Sequence, residues 1–369
     1  MSSRIKRFVG GRRLGAVIGT GAVAALVVAG GTAAGLAMTS GGSTTVSPPP
    51  TASPAASAPM TKAPTKAPTT TPSSVPVPPA VVAPTTLAPA LAPASAPAPE
   101  TGSSATTALV AELISDTCLY SHEANDDPIL MPGQAGQSMA HDFYGNLTTS
   151  ATSTASSLIG GSTTCSTSQD ASAYWTPVLY QNGVPITPER NLIYWAGLHA
   201  TDPTVTAPPV GLEMIAGNEN ATAPQSVRVV AWRCADQLPQ VPSATPVNCA
   251  GTRGLELRVT FPSCWNGTTL NGATETNVVY PEADTRCPAG YPVRIPTVIF
   301  HVIYPITSPA GLTLSMGPGQ QGTTDTAHGD FINGWNQSVL TRLISGCASS
   351  TLTCGHVTGA DAQVLRRTL

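Results

Sequence analysis

Between Ser43 and Thr107 the chain carries 16 prolines and no aromatic residue. Such a stretch cannot bury a core, so whatever folds must lie outside it. No glycine occurs from Ser43 to Thr101, and Ala-Pro and Thr-Lys-Ala-Pro units recur. These units favour extended polyproline geometry of about 3.1 Å per residue, the property of a semi-rigid stalk. Residues 39–107 are therefore expected to be a disordered stalk whose threonines and serines are candidate O-glycosylation sites.

The segment before the stalk has the order of an export signal. Arg4, Lys6, Arg7, Arg12 and Arg13 precede an uncharged run of 25 residues, Leu14–Met38. Basic residues stay on the cytoplasmic side, and an apolar helix of this length would reach about 37 Å against a hydrocarbon core of about 30 Å. The expectation is a cytoplasmic segment 1–13 and a signal-anchor 14–38 that leaves the rest of the chain outside the membrane. The alternative is secretion after cleavage near Ala37, where Gly35-Leu36-Ala37 offers a small-x-small site.

Residues 108–369 are long enough for a substantial core. They contain ten arginines, no lysine and 19 acidic residues, for a net charge of −9 with histidine neutral. An acidic domain without a basic stripe is a poor partner for nucleic acid. All eight cysteines fall here: Cys118, Cys165, Cys234, Cys249, Cys264, Cys287, Cys347 and Cys354. An even count in an exported domain reads as four disulfides, and no Cys-x-x-Cys pair suggests a zinc ribbon or a thioredoxin motif. Short loops favour Cys347–Cys354, Cys234–Cys249 and Cys264–Cys287, although spacing leaves every connectivity open.

Short apolar runs broken by Pro, Gly and Asn predict a mainly β domain, a disulfide-stabilised β-sandwich or jelly-roll-like fold with few short helices. Residues 227–234, 255–261 and 293–304 read as strands. Alternation places Leu255, Leu257, Val259 and Phe261 on one face and Glu256, Arg258 and Thr260 on a face toward water. Helical patterning is confined to a short lead-in over 108–114 and to 335–345.

Two segments join histidine to aspartate beside an aromatic, His141-Asp142-Phe143-Tyr144 and His328-Gly329-Asp330-Phe331. Imidazole and carboxylate together can ligate a metal or act as general base and acid, so His141, Asp142, His328 and Asp330 are the candidate catalytic set. They could equally cap turns in glycine-rich loops. No metal ligand is assigned and no cofactor is firmly implied, although the residue types permit a divalent metal. No Gly-x-Ser-x-Gly elbow occurs in the domain, which removes the usual serine-hydrolase reading. Paired carboxylates for glycoside hydrolysis could be drawn from Asp126, Asp127, Asp142 and Asp330. Tyr174, Trp175, Trp265 and Trp335, with Asn146 and Asn333, are candidate sugar-binding residues, because exposed aromatics stack on sugar faces.

Six ordered motifs give the chain a resemblance. They are Asp127-Pro-Ile-Leu-Met-Pro-Gly-Gln134, His141-Asp-Phe-Tyr-Gly-Asn146, Ser172-Ala-Tyr-Trp-Thr-Pro-Val-Leu-Tyr180, Gly211-Leu-Glu-Met-Ile-Ala-Gly-Asn218, Phe261-Pro-Ser-Cys-Trp-Asn-Gly267 and His328-Gly-Asp-Phe-Ile-Asn-Gly-Trp335. Over about Asp116 to Cys347 the chain resembles a secreted domain-of-unknown-function family of actinobacteria and fungi, whose fungal members are often joined to WSC carbohydrate-binding modules. The resemblance implies a role at cell-wall or extracellular polysaccharide. It also exposes departures. Family members typically read Ser-His-x-His-Asp where this chain has Ser138-Met139-Ala140-His141-Asp142. Further histidines are expected where Glu275, Asn277 and Tyr291 stand. Fewer imidazoles imply weaker transition-metal affinity and a weak or absent activity. The leading expectation is an envelope-anchored ectodomain that binds or acts on wall polysaccharide, with the four His and Asp residues in one cleft. The rival is a non-catalytic structural or adhesive module.

Overall fold

The computed structural model describes residues 111–197, 204–237, 239, 241–349, 352 and 354–365. The basic segment, the apolar run 14–38 and the stalk lie outside the described residues. Among the described residues no helix is long and apolar enough to cross a membrane.

The mainly β expectation holds. Eleven strands form one sheet: β1 (Ala111–Ala124), β2 (His141–Gly145), β3 (Ala173–Pro177), β4 (Arg190–Gly197), β5 (Glu213–Gly217), β6 (Val230–Cys234), β7 (Leu255–Thr260), β8 (Thr297–Tyr304), β9 (His328–Ile332), β10 (Gly355–Thr358) and β11 (Gln363–Leu365). Their order is β5-β9-β3-β2-β1-β4-β8-β7-β6, with β10 parallel to β1 and β11 beside β10. The long strand β1 joins the two halves. Its first part pairs with β4, and its last part, from Tyr120, pairs with β2 with an irregularity between Tyr120 and His122. The sheet thereby bends over its own core, and Tyr174 and Phe331 of one half meet Phe300, Phe261 and Trp195 of the other at centroid separations of 5.6–6.4 Å. One bent sheet supplies the two packed faces that a sandwich or jelly roll draws from separate sheets.

Residues 108–114 were expected to begin a helix, but from Ala111 they form β1. A short apolar run has no decisive period of its own, and pairing with β4 satisfies its backbone. The second helical expectation holds over α2 (Gln337–Ala348), after the one-turn α1 (Ala155–Leu158). The Asn336 side chain caps α2 by accepting from the Val339 N–H, and Leu340, Leu343, Ile344 and Cys347 face the core. The run 293–304 divides at Pro296, which can donate no ladder hydrogen bond, into a two-residue strand Val293–Arg294 and β8.

Four disulfides close the frame: Cys118–Cys165, Cys234–Cys249, Cys264–Cys287 and Cys347–Cys354, with no free cysteine. The three short-loop pairings are those favoured by spacing. The outer face of β7 departs from expectation, because Glu256 is buried rather than solvated. Its carboxylate accepts from Arg233 Nε at 2.6 Å and lies 2.7 Å from His301 Nδ1.

Candidate functional site

Period-two alternation sorts the residues of β2, β3 and β9 onto two faces. Tyr144, Tyr174 and Phe331 point into the main core, while Phe143, Trp175 and Ile332 form a second apolar cluster with Ile129 and Leu158 on the outer face. His141 shares the face of Phe143, and His328 and Asp330 share that of Ile332. The register sets Trp175 opposite both Phe143 and Asp330, and sets Pro177 opposite His141. Continued one step, it puts the same proline opposite His328. The two histidines therefore stand on strands separated by one strand, about 9.5 Å at the backbone, and lean over Pro177 until their ring centroids are 5.8 Å apart.

The segment following β1 covers this face. Asp127 Oδ1 accepts from the N–H groups of Ile129 and Leu130, both at 2.8 Å, which seats Ile129 in the outer cluster. Asp126 ties the far end by accepting from Gly136 N–H at 2.9 Å and Ala151 N–H at 3.0 Å. These two carboxylates are occupied by backbone. Under this cover, His141 and His328 are 1% and 2% exposed and Asp330 is fully buried.

Backbone carbonyls orient both imidazoles. His141 Nδ1 donates to Asp126 O at 2.9 Å, and His328 Nδ1 donates to Thr326 O at 2.8 Å. A carbonyl only accepts, so each Nδ1 carries a proton and each Nε2 is the ring nitrogen left outside that bond. His141 Nε2 and both Asp330 carboxyl oxygens have no hydrogen-bond partner. His328 Nε2 lies 3.7 Å from Asp330 Oδ2, and one ligating atom from each of the three residues falls within 4.8 Å of the others. Burial, then the charge of His328, lowers the His141 pKa to about 3, so the ring is neutral. Burial, followed by the charges of Asp127, Glu219 and Glu275, holds the Asp330 carboxyl well above the ordinary range. The set offers the neutral nitrogen of His141 and a carboxyl that ionises only beside a compensating charge.

Asp142 does not join them. It occupies the opposite face of β2, where its register partner is Glu123 and its charge acts on Tyr144 and Tyr304. Neighbours in a strand point to opposite faces, so His141 and Asp142 cannot enter one cleft together. Burial first and Glu123 second raise its carboxyl.

The expected sugar-binding surface is also corrected. Tyr174, Trp175 and Trp335 are fully buried. Tyr174 stacks on Phe331 and donates its hydroxyl to Asp170 at 2.7 Å, while Trp335 packs edge-on to Trp195. Asn146 and Asn333 are turn-fixing residues: Asn146 Nδ2 donates to the carbonyls of Leu158 and Ala171, and Asn333 Nδ2 donates to those of Pro208 and Pro209. Of the six, only Trp265 keeps exposed surface, and its Nε1 donates to Thr269 O at 2.7 Å.

Two groups escaped the sequence reading. His122 stacks on Phe143 at 4.9 Å beside the histidine pair. The Arg233–Glu256–His301 cluster lies on the other half of the sheet, and its outward alternation with Arg258 was the available signal. A further juxtaposition, Asp116 and Asp170 beside Cys118 and Cys165, offers no thiolate because those sulfurs are bonded to each other.

No curated protein and no solved structure matches this chain. Residues 127–335, more than half of the chain and the stretch that builds the outer face of β2, β3 and β9, match the family described as a domain of unknown function (DUF1996), and the chain belongs to that family.

Proposed function

We propose that the protein is an extracytoplasmic, envelope-associated domain that binds or acts on wall polysaccharide, with His141, His328 and Asp330 as its centre. The observation that carries this reading is the convergence of two oriented imidazoles and a carboxyl, in which His141 Nε2 and both Asp330 oxygens have no hydrogen-bond partner. Buried groups of this kind cost free energy unless something else satisfies them, which is why they concentrate at functional sites. Four disulfides and the basic-then-apolar amino end support export, with Leu14–Met38 as the anchor.

A second reading has its own support. The cluster is almost without exposed surface, and five of the six expected sugar-binding residues are buried. Both observations favour a structural or adhesive module in which the centre holds the sheet together. Wall polysaccharide turnover and binding, measured on the full chain and on His141→Ala and His328→Ala, separate the two. Product release that disappears in both variants supports catalysis at the centre. Binding without turnover, unchanged in the variants, supports the module. Absence of both turnover and binding in the wild-type chain would overturn the polysaccharide reading.

A further inference from the structure

We infer that His141, His328 and Asp330 form the binding site for one divalent transition-metal ion of the zinc class. The inference deepens the reading of this cluster as the functional centre and does not depend on polysaccharide being the ligand.

Ligand geometry is the first support. Each histidine donates Nδ1–H to a main-chain carbonyl, at 2.9 Å for His141 and 2.8 Å for His328, and so presents Nε2. This is the outer-shell arrangement of metal-bound histidine, in which the second nitrogen fixes ring and tautomer. The acceptors belong to the covering segment and to the turn before β9, so the rings are set by backbone rather than by mobile side chains.

The second support is what the cluster leaves unpaired. A histidine that serves only as packing would place Nε2 against an apolar wall or a donor. Here His141 Nε2 and both Asp330 oxygens are buried without a partner, and His328 Nε2 stands 3.7 Å from Asp330 Oδ2, beyond hydrogen-bond reach. One cation between them would satisfy all three residues. Two imidazole nitrogens and a carboxylate suit zinc and its first-row neighbours, whereas calcium and magnesium prefer all-oxygen sets. Tetrahedral zinc with bonds near 2.0–2.1 Å needs donor atoms about 3.3 Å apart. Donors now within 4.8 Å of one another reach that spacing by small side-chain rotations.

The surroundings have the matching sign. The charges of Asp127, Glu219 and Glu275 act on Asp330. A dication is favoured in such a field. Three protein ligands are the number found in zinc sites that retain a position for water or substrate.

The test uses the purified full chain, stripped with chelator and titrated calorimetrically with zinc alone, with bound metal counted by elemental analysis. One zinc per chain is expected. Affinity should fall in His141→Ala, His328→Ala and Asp330→Asn by more than the roughly 10–100-fold that loss of an outer-shell contact costs. His356→Ala should retain the wild-type value. Zinc-edge X-ray absorption on the wild-type complex, which requires no variant to fold, should count two imidazoles. No stoichiometric zinc, no imidazole in the zinc shell, or equal affinity in folded ligand variants would overturn the inference. Stoichiometric zinc without polysaccharide turnover or binding keeps the metal site and removes the proposed function, and the converse result does the reverse.

Discussion

The rings of His141 and His328 meet edge to face at 5.8 Å across the outer side of one sheet. Neither ring is positioned by the other. Each is held by a carbonyl at its back, and Phe143 lies against the His141 ring at 6.2 Å. The site is therefore a product of the outer apolar cluster as much as of its polar members.

Phe143→Ala tests that dependence. Phe143 is fully buried, stacks on His122 at 4.9 Å and packs on Trp175 at 5.7 Å. Truncation should cost about 3–5 kcal/mol in denaturant unfolding. A loss below about 1 kcal/mol would mean that the cluster collapses to fill the space and does not brace the histidine pair.

The disulfides should contribute unequally. Cys118–Cys165 spans 47 residues and Cys347–Cys354 spans seven. Loop-entropy arithmetic gives about 4 kcal/mol for the first and about 2.4 kcal/mol for the second. Alkylation with intact-mass measurement should find no free thiol. Paired Cys→Ala replacement at 118 and 165 should lower the unfolding midpoint more than replacement at 347 and 354. The reverse order would show that native packing, rather than chain entropy, dominates.

On the opposite half of the sheet, Glu256 neutralises Arg233 and contacts His301. Burial opposes its ionisation, yet His301 and Arg233 outweigh burial and hold its pKa below the ordinary value. A depressed carboxylate contributes stability that is present above its unfolded pKa and lost as pH falls through the folded one. Glu256→Ala should cost about 3–5 kcal/mol at neutral pH, because it leaves Arg233 without its counter-charge. Wild type and variant should converge in acid. A pH-independent difference between them would contradict the ionic account.

The strands that build the site were partly legible in the sequence. His328 and Asp330 are two apart and share a face, a spacing that only a strand turns into a joint site. The same rule excludes Asp142 from the company of His141, and it was missed because the glycine that follows made the segment read as a loop. Tyr174, Trp175 and Trp335 carry no local mark separating a sugar platform from a core, since the answer depends on the bend of β1 that folds one half of the sheet onto the other. The two carbonyls that orient the imidazoles are main-chain atoms of Asp126 and Thr326, and no side-chain pattern announces them. The three short disulfides were legible because loop closure is a local property.

Asp116 and Asp170 make the sharpest pH prediction. Both are buried beside the Cys118–Cys165 bridge. Asp170 accepts from Tyr174 hydroxyl at 2.7 Å and Ser172 N–H at 3.0 Å, and Asp116 accepts from Ser166 while its Oδ2 has no partner. Burial first, and then the charge of Asp170, raises the Asp116 carboxyl well above the ordinary range; burial raises Asp170 as well. The folded state thus retains a proton that the unfolded chain releases near pH 3.9. A raised carboxyl contributes stability that is complete below the unfolded pKa and lost as pH rises through the folded one, so this pair opposes folding increasingly toward neutral pH. Asp116→Asn keeps the shape and removes the titration. Urea midpoints measured from about pH 4 to pH 8 should fall less steeply in Asp116→Asn than in wild type, with the variant gaining relative stability at the upper end. The raised carboxyls elsewhere remain in both proteins, so the difference between the two profiles reports Asp116 together with its coupling to Asp170. Parallel profiles would show that Asp116 is already ionised in the folded protein.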